Sequence, residues 1–268
     1  MSINPTIEIS VQMFEFQKRF WWMLSSLIQQ KSWQNNPVPK INVKISMMST
    51  KDRFTLLTQK MIRTFDRLID ISIKEYTDPD IFGNRGLTRS YDIQETRSEW
   101  LFFTDADMIF HPEFFSEISA NYLDGWKGTG KIITSPRINV PTEASYELAN
   151  GFDYDSFAPV PNAFDICWNL KGEYSCRGRA PGAGYFQLIE VKYLKDNNIT
   201  YCDRKRDRNL FHQSGNKFIS DKVFRRKLNG TIVMKKPKDE LGSRDILKPL
   251  LHLNHWRKSN PEWIDKGQ

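Results

Sequence analysis

Apolar and polar residues alternate from the start of the chain. Ile7, Ile9, Val11 and Met13 fall on one side of an extended segment, with polar residues between them. A period of two predicts a half-buried strand. Phe20, Leu24, Leu27 and Ile28 then recur at helical spacing, which predicts a helix over Gln17–Gln30. The segment KSWQNNPVPK is a loop by its Asn and Pro content. A second alternation, through Ile41, Val43, Ile45 and Met47, predicts another strand. Ser49 and Asp52 stand where a helix cap would, ahead of apolar positions Phe54, Leu57, Met61, Phe65 and Leu68. Leu68–Ile73 is expected to be a third strand and Thr88–Thr96 a helix, with Gly83 and Gly86 bracketing a turn between them. Trp100–Thr104 is short and continuously apolar, as a strand in the middle of a sheet is.

Strands and helices taking turns in this way predict an α/β fold with a mainly parallel central sheet and helices on its faces. The alternation in the first two strands points to places nearer a sheet edge, because strands buried on both faces are usually apolar throughout. Beyond Pro136 the periodicity fades. Residues 136–162 are expected to form long loops, followed by a Gly-rich stretch, a basic helical stretch around Asp221–Leu228 and a His-containing tail.

Composition changes this picture little. With 268 residues, 39% of them hydrophobic and 13% aromatic, the chain can bury a proper core and is not a disordered protein. Its formal charge of +7 suits an anionic partner such as a phosphate-bearing substrate, nucleic acid or lipid. The basic clusters at Arg204, Lys205, Arg206, Arg208 and at Arg225, Arg226, Lys227 also fit an ordinary solvated surface. Three cysteines without framework spacing predict a reduced, cytoplasmic protein and no thiol metal site. The first residues lack a signal-peptide pattern, and Phe20–Ile28 is too short to cross a bilayer, although peripheral membrane association stays open.

The chemistry is concentrated in EWLFFTDADMIFHPEFF, residues 99–115. A buried strand ends there, two carboxylates, Asp105 and Asp107, follow at once, and His111-Pro112 is expected to open a helix. Open α/β sheets bind ligands at the carboxyl ends of their strands. Two acidic groups in that position can hold a hard divalent cation, Mn²⁺ or Mg²⁺, together with substrate phosphates. A solvated turn containing two Asp is the plain alternative, and the placement after a buried strand argues against it.

On these residues the chain resembles the GT-A glycosyltransferases, in particular family 2 and its relatives. The resemblance runs from strand Ile7–Met13 through NRGLTRS at 84–90 to the DAD triplet, which matches the family's D-x-D motif. It implies a Rossmann-like domain over 1–268, with residues 1–115 binding the nucleotide sugar and 116–268 forming the acceptor-binding and catalytic half. It further implies that Asp105 approaches the ribose or metal, that Asp107 ligates the metal, and that Arg89 lies near the diphosphate. RGRAPGAGYFQL resembles the family's glycine-rich loop beside the donor sugar, with Gly182 and Gly184 as its close-approach positions. Asp221, in ISDKVFRRKL, stands where inverting members carry their general base, although Ser220 replaces the usual Glu. In LHLNHWRK, His252 and His255 resemble the family's C-terminal metal ligand, with Arg257 and Lys258 as further diphosphate contacts. The acidic base-recognising residue that many members carry after the second strand is missing from ISMMSTKD, so Phe14, Glu15 and Arg19 are the substitutes considered.

The expected function is therefore metal-dependent transfer of a sugar from a nucleotide donor, UDP before GDP, to a hydroxyl of a glycan or related acceptor, with inversion. A sugar nucleotidyltransferase is the first alternative, disfavoured because QMFEFQKRF has no glycine where its phosphate loop would be. A non-catalytic nucleic-acid or polyanion binder is the second, disfavoured because no recognition motif is present and basic residues are mixed with acidic ones.

Overall fold

The computed structural model describes residues 5–13, 16–49, 53–135, 137–151, 155–170, 186–201, 224–233 and 250–253. Strand β1 (Thr6–Gln12) leads to helix α1 (Gln17–Leu27), β2 (Lys40–Met48), α2 (Arg53–Phe65) and β3 (Asp70–Tyr76). Two helices follow, α3 (Pro79–Gly83) and α4 (Arg85–Glu95), and then β4 (Trp100–Thr104). β1 pairs in parallel with both β2 and β4, and β2 in parallel with β3. This is the mainly parallel sheet expected from the alternation of elements.

The later part of the chain completes that sheet and builds a second one. After β5 (Met108–Phe110) come α5 (Phe114–Ile118), a π-helical turn (Ser119–Leu123), α6 (Asp124–Trp126), β6 (Ile132–Thr134), β7 (Ile138–Val140), α7 (Thr142–Asn150) and α8 (Ala163–Asn169). β8 (Phe186–Glu190), α9 (Val191–Asp196), β9 (Thr231–Val233) and β10 (Leu250–Leu253) close the series. Among the described residues the main sheet has the order β3-β2-β1-β4-β8-β6-β9, with β8 antiparallel to both β4 and β6. The smaller sheet, β5-β10-β7, pairs β10 antiparallel to β5 and parallel to β7.

Two expectations are corrected here. Residues 136–162 hold β7 and α7 besides loop. The buried positions of α7 are Thr142, Ser145, Leu148 and Ala149, mostly small or polar, so no apolar stripe announced the helix. It is tied to α1 by the Trp22 indole N–H, which donates to the Leu148 carbonyl at 3.1 Å. Likewise, His111-Pro112 does not open a helix directly: β5 ends at Phe110 and α5 begins at Phe114.

β1 and β2 do lie nearer one edge of the sheet than β4, but both are flanked by strands, and their alternation has a further cause. Ile7, Ile9 and Val11 join the main apolar core with Phe20, Leu24 and Leu27 of α1. The opposite face carries Glu8, Ser10, Lys44 and Ser46 and is covered by α4 through ion pairs. Ser10 Oγ donates to Asp92 at 2.5 Å, and Lys44 Nζ lies 3.0 Å from Asp92 and 2.7 Å from Glu95. Beyond β4 the α4 side turns apolar again, in a second core of Ile93, Leu101, Phe103, Ile189, Leu194, Tyr201 and Phe224.

Glu8 is the misfit of the polar layer. Burial pushes its carboxyl up, and the charges of Asp92 and Glu95 add to this against the opposing pull of Lys44. A carboxyl with a raised folded-state pKa weakens the fold once it ionises, and the penalty disappears as pH falls below the unfolded value of about 4.3. Glu8→Gln is therefore expected to raise the thermal unfolding midpoint at neutral pH, with the gain shrinking to nothing near pH 4. A midpoint lowered at neutral pH would show that Glu8 is needed there as an anion.

No helix among the described residues is long and apolar enough to cross a membrane.

Candidate active site

The carboxyl end of β4 is built by two short-range devices and one long-range pairing. First, β4 runs straight into Asp105, Ala106 and Asp107, so the strand's own direction carries both carboxylates to the sheet edge. A group of phenylalanines holds the turn from beneath. Phe102 packs on Phe186 at 4.4 Å between ring centroids and on Phe110 at 5.9 Å.

Second, α4 starts at the same edge. Asn84 caps it by accepting from the Leu87 amide at 3.1 Å, and Thr88 Oγ1 donates to the Arg85 carbonyl at 3.0 Å. Arg85, the first residue of the helix, forms an ion pair with Asp105. Burial pushes the Asp105 carboxyl up, and so does Asp107, but the charge of Arg85, with help from Arg89, outweighs both and holds it below the ordinary aspartate value. Asp105 is thus an anion at neutral pH.

The third device is the small sheet. β10 places His252 opposite Met108 of β5 and Asn139 of β7, and the Leu253 amide donates to the Asp107 carbonyl at 2.9 Å. As a result His252 Nε2 lies 3.2 Å from an Asp107 carboxylate oxygen, with both residues buried. On its other side His252 Nδ1 lies 3.1 Å from Asn139 Oδ1. Each ring nitrogen thus faces an oxygen that only accepts, so a direct contact at Nε2 needs a hydrogen there, which a bound cation would replace.

The other expected site residues are distributed as follows. Arg89 is buried: its Nη1 donates to Tyr201 Oη at 2.6 Å and to Gln187 Oε1 at 3.4 Å. Its guanidinium carbon sits 4.8 Å from the Phe103 ring centre and 5.0 Å from that of Tyr201. Arg19 is buried on α1, its guanidinium 5.2 Å from the ring centre of Tyr146 on α7 and 5.8 Å from that of Phe16. Phe14, Glu15, Gly182, Gly184, Asp221 and His255 lie outside the described residues, as do Arg257 and Lys258.

Two residues were missed in the sequence. Arg85 could have been found from Asn84, a good cap residue that starts the helix three residues before the expected Thr88. Asn139 gave no local signal, because only the pairing of β7 with β10 brings it to His252.

No family model matches the chain, and no curated protein matches it in sequence. Solved structures do resemble it. TarS 1–349 of S. aureus in complex with UDP is 14% identical with a TM-score of 0.53, over 85% of this chain and 57% of that one. The same protein in complex with UDP-GlcNAc is 16% identical with a TM-score of 0.52, over 85% of this chain and 55% of that one. The apo form of the glycosyltransferase GlyE of Streptococcus pneumoniae TIGR4 is 11% identical with a TM-score of 0.51, over 96% of this chain and 56% of that one. The chain thus spans little more than half the length of these solved chains, and 35% of a longer solved TarS chain. What it shares with them is the α/β fold with its mostly parallel, helix-flanked sheet.

Proposed function

We propose that the protein is a metal-dependent glycosyltransferase that moves a sugar from a nucleotide donor, preferably a UDP-sugar, to a hydroxyl of a glycan or related acceptor. The observation that carries this reading is the buried Asp107–His252 pair, backed by Asn139, at the carboxyl end of a central strand. Its fold is shared with proteins solved in complex with UDP and UDP-GlcNAc.

The donor set fits a divalent cation. A carboxylate oxygen and an imidazole nitrogen are both competent donors for Mn²⁺. Asp107 and His252 meet at 3.2 Å. Asn139 fixes the His252 ring as an outer partner does for a ligating histidine. Among the described residues no group of three or more His, Cys, Asp or Glu side chains is gathered to hold a metal ion. Asp107 and His252 would hold Mn²⁺ or Mg²⁺, and the ion would supply charge neutralisation for the departing diphosphate.

The residues of the chain perform the rest. Arg85 keeps Asp105 ionised, ready to accept from a ribose hydroxyl or to complete the cation's shell. Asp221 is assigned the general base that takes the proton from the acceptor hydroxyl, which then attacks the anomeric carbon from the face opposite the diphosphate, inverting it. Residues 1–115 serve the donor and 116–268 the acceptor.

The test is a panel of UDP- and GDP-sugars incubated with the protein and Mn²⁺, with released nucleotide as the readout and EDTA as the control. Release of UDP from one sugar, abolished by EDTA, is the expected result. Silence across the panel, together with no UDP or GDP binding by calorimetry, would sink the proposal and favour a non-catalytic binder.

A further inference from the structure

Arg85 and Arg89 are four residues apart on α4, one helical turn, and so lie on the same face. They meet different surroundings. Arg85 reaches Asp105 at the sheet edge, whereas Arg89 is enclosed at 3% exposure beside the rings of Phe103 and Tyr201. The enclosure is itself rigid. Tyr201 is fully buried, stacks on Phe224 at 4.3 Å with planes 21° apart, and meets Phe103 edge-on at 5.5 Å. Its hydroxyl also donates to Gln187 Oε1 of β8 at 3.1 Å. Arg89 therefore joins α4 to β4, β8 and the chain beyond α9 at a single planar group. A flat guanidinium can lie against aromatic rings while its edge donates in fixed directions to Tyr201 and Gln187; an ammonium lacks that planar fork.

We infer that Arg89 is a positioning residue: clamped by Phe103, Tyr201 and Gln187, it fixes the rotation and height of α4 so that Arg85, one turn nearer the helix start, meets Asp105. It does not touch the donor diphosphate. The inference rests on the glycosyltransferase reading. A slip of α4 by one residue would move its side chains by about 1.5 Å and rotate them by about 100°. That is enough to part Arg85 from Asp105, and a misplacement of about 1 Å can lower turnover about 10²-fold.

The test compares Arg89→Lys, Tyr201→Phe, their double variant and Arg85→Ala with the wild type. The readouts are donor hydrolysis (kcat and KM separately) and calorimetric binding of whichever of UDP or GDP the wild type releases. Arg89→Lys keeps the charge, yet kcat is expected to fall about 10- to 100-fold while nucleotide affinity falls no further than it does in Arg85→Ala, since Asp105 is the group assigned to the ribose. Tyr201→Phe removes one hydroxyl, leaves the stack, and is expected to lower kcat several-fold in the same pattern. The double variant should be little worse than Arg89→Lys, because both act through one unit.

Full activity in Arg89→Lys would overturn the inference. So would a loss of nucleotide affinity greater than that of Arg85→Ala, which would make Arg89 a direct ligand, or losses that multiply in the double variant. A wild type that neither binds nor hydrolyses any nucleotide sugar would remove the glycosyltransferase reading itself, and the inference with it. That result is read on the wild type alone, so the two failures are distinguishable.

Discussion

Asp107→Ala is expected to lower metal-dependent nucleotide release by on the order of 10²–10³-fold. A bound divalent ion contributes several kcal/mol by neutralising charge on a leaving diphosphate, and each 1.36 kcal/mol is about tenfold in rate. Asp107 is buried and its carboxylate faces His252 Nε2, and a water filling the space that alanine leaves would carry no negative charge to replace it. The fold should survive, because the contact that holds β10 to this turn is the Asp107 backbone carbonyl accepting from Leu253, which alanine keeps. Asn139→Ala should act more weakly, about 10- to 100-fold on metal affinity, as loss of an outer partner to a ligating histidine does.

The rival explanation of the same geometry is a structural ion pair between Asp107 and a protonated His252. The two readings separate on stability. A metal site predicts that Mn²⁺ with UDP raises the unfolding midpoint of the wild type, and that Asp107→Ala abolishes this rise. A structural pair predicts a lower midpoint in the variant with or without Mn²⁺, and nucleotide release left intact. The second pattern would remove Asp107 from the site.

Much of the sheet was legible because its signals are local. The period-two segments became β1 and β2, the apolar run at Trp100 became the central β4, and the carboxylates directly after it lie at the sheet's carboxyl edge. The rest depended on distant parts of the chain. β5, β6 and β7 are three residues each, too short to show any period, and β10 meets β5 across more than a hundred residues. His252 could therefore be named, beside His255 and by resemblance, but not located, and Asn139 could not be singled out at all. Arg85 stayed unnamed because the start of α4 was placed three residues late, and the capping by Asn84 sets that start. The polar residues of β1 and β2 were visible, but alternation looks the same whether the polar face meets water or a charged helix. Only the cover supplied by Asp92 and Glu95 distinguishes the two.

That cover makes Lys44→Met the second large expected effect, on stability and not on chemistry. Lys44 is 8% exposed, and its ammonium sits between Asp92, which is 1% exposed, and Glu95. Methionine fills the same space and removes the charge. Asp92 is then left as a buried carboxylate with Ser10 as its hydrogen-bond donor, and removing one partner of a buried ion pair costs about 3–5 kcal/mol. Glu95 adds less, because nearly half of its side chain (47%) is in water and Lys74 also pairs with it. At roughly 2–4 °C per kcal/mol for a chain of this size, the midpoint should fall by on the order of 10 °C. The pH dependence carries a second signature. Burial pushes the Lys44 ammonium down, but Asp92 and Glu95 outweigh it and raise its pKa, so its contribution persists through neutral pH and is lost as pH rises through that raised value. Glu95 shows the opposite sign: burial pushes it up, Lys44 and Lys74 pull it further down, and its contribution is lost as pH falls below about 4.3 towards its lowered value. The gap between wild type and Lys44→Met should therefore be widest near neutral pH and narrow at both extremes. A gap of under about 2 °C at neutral pH would mean that water reaches the layer beneath α4, and that Asp92 holds the helix on the sheet without Lys44.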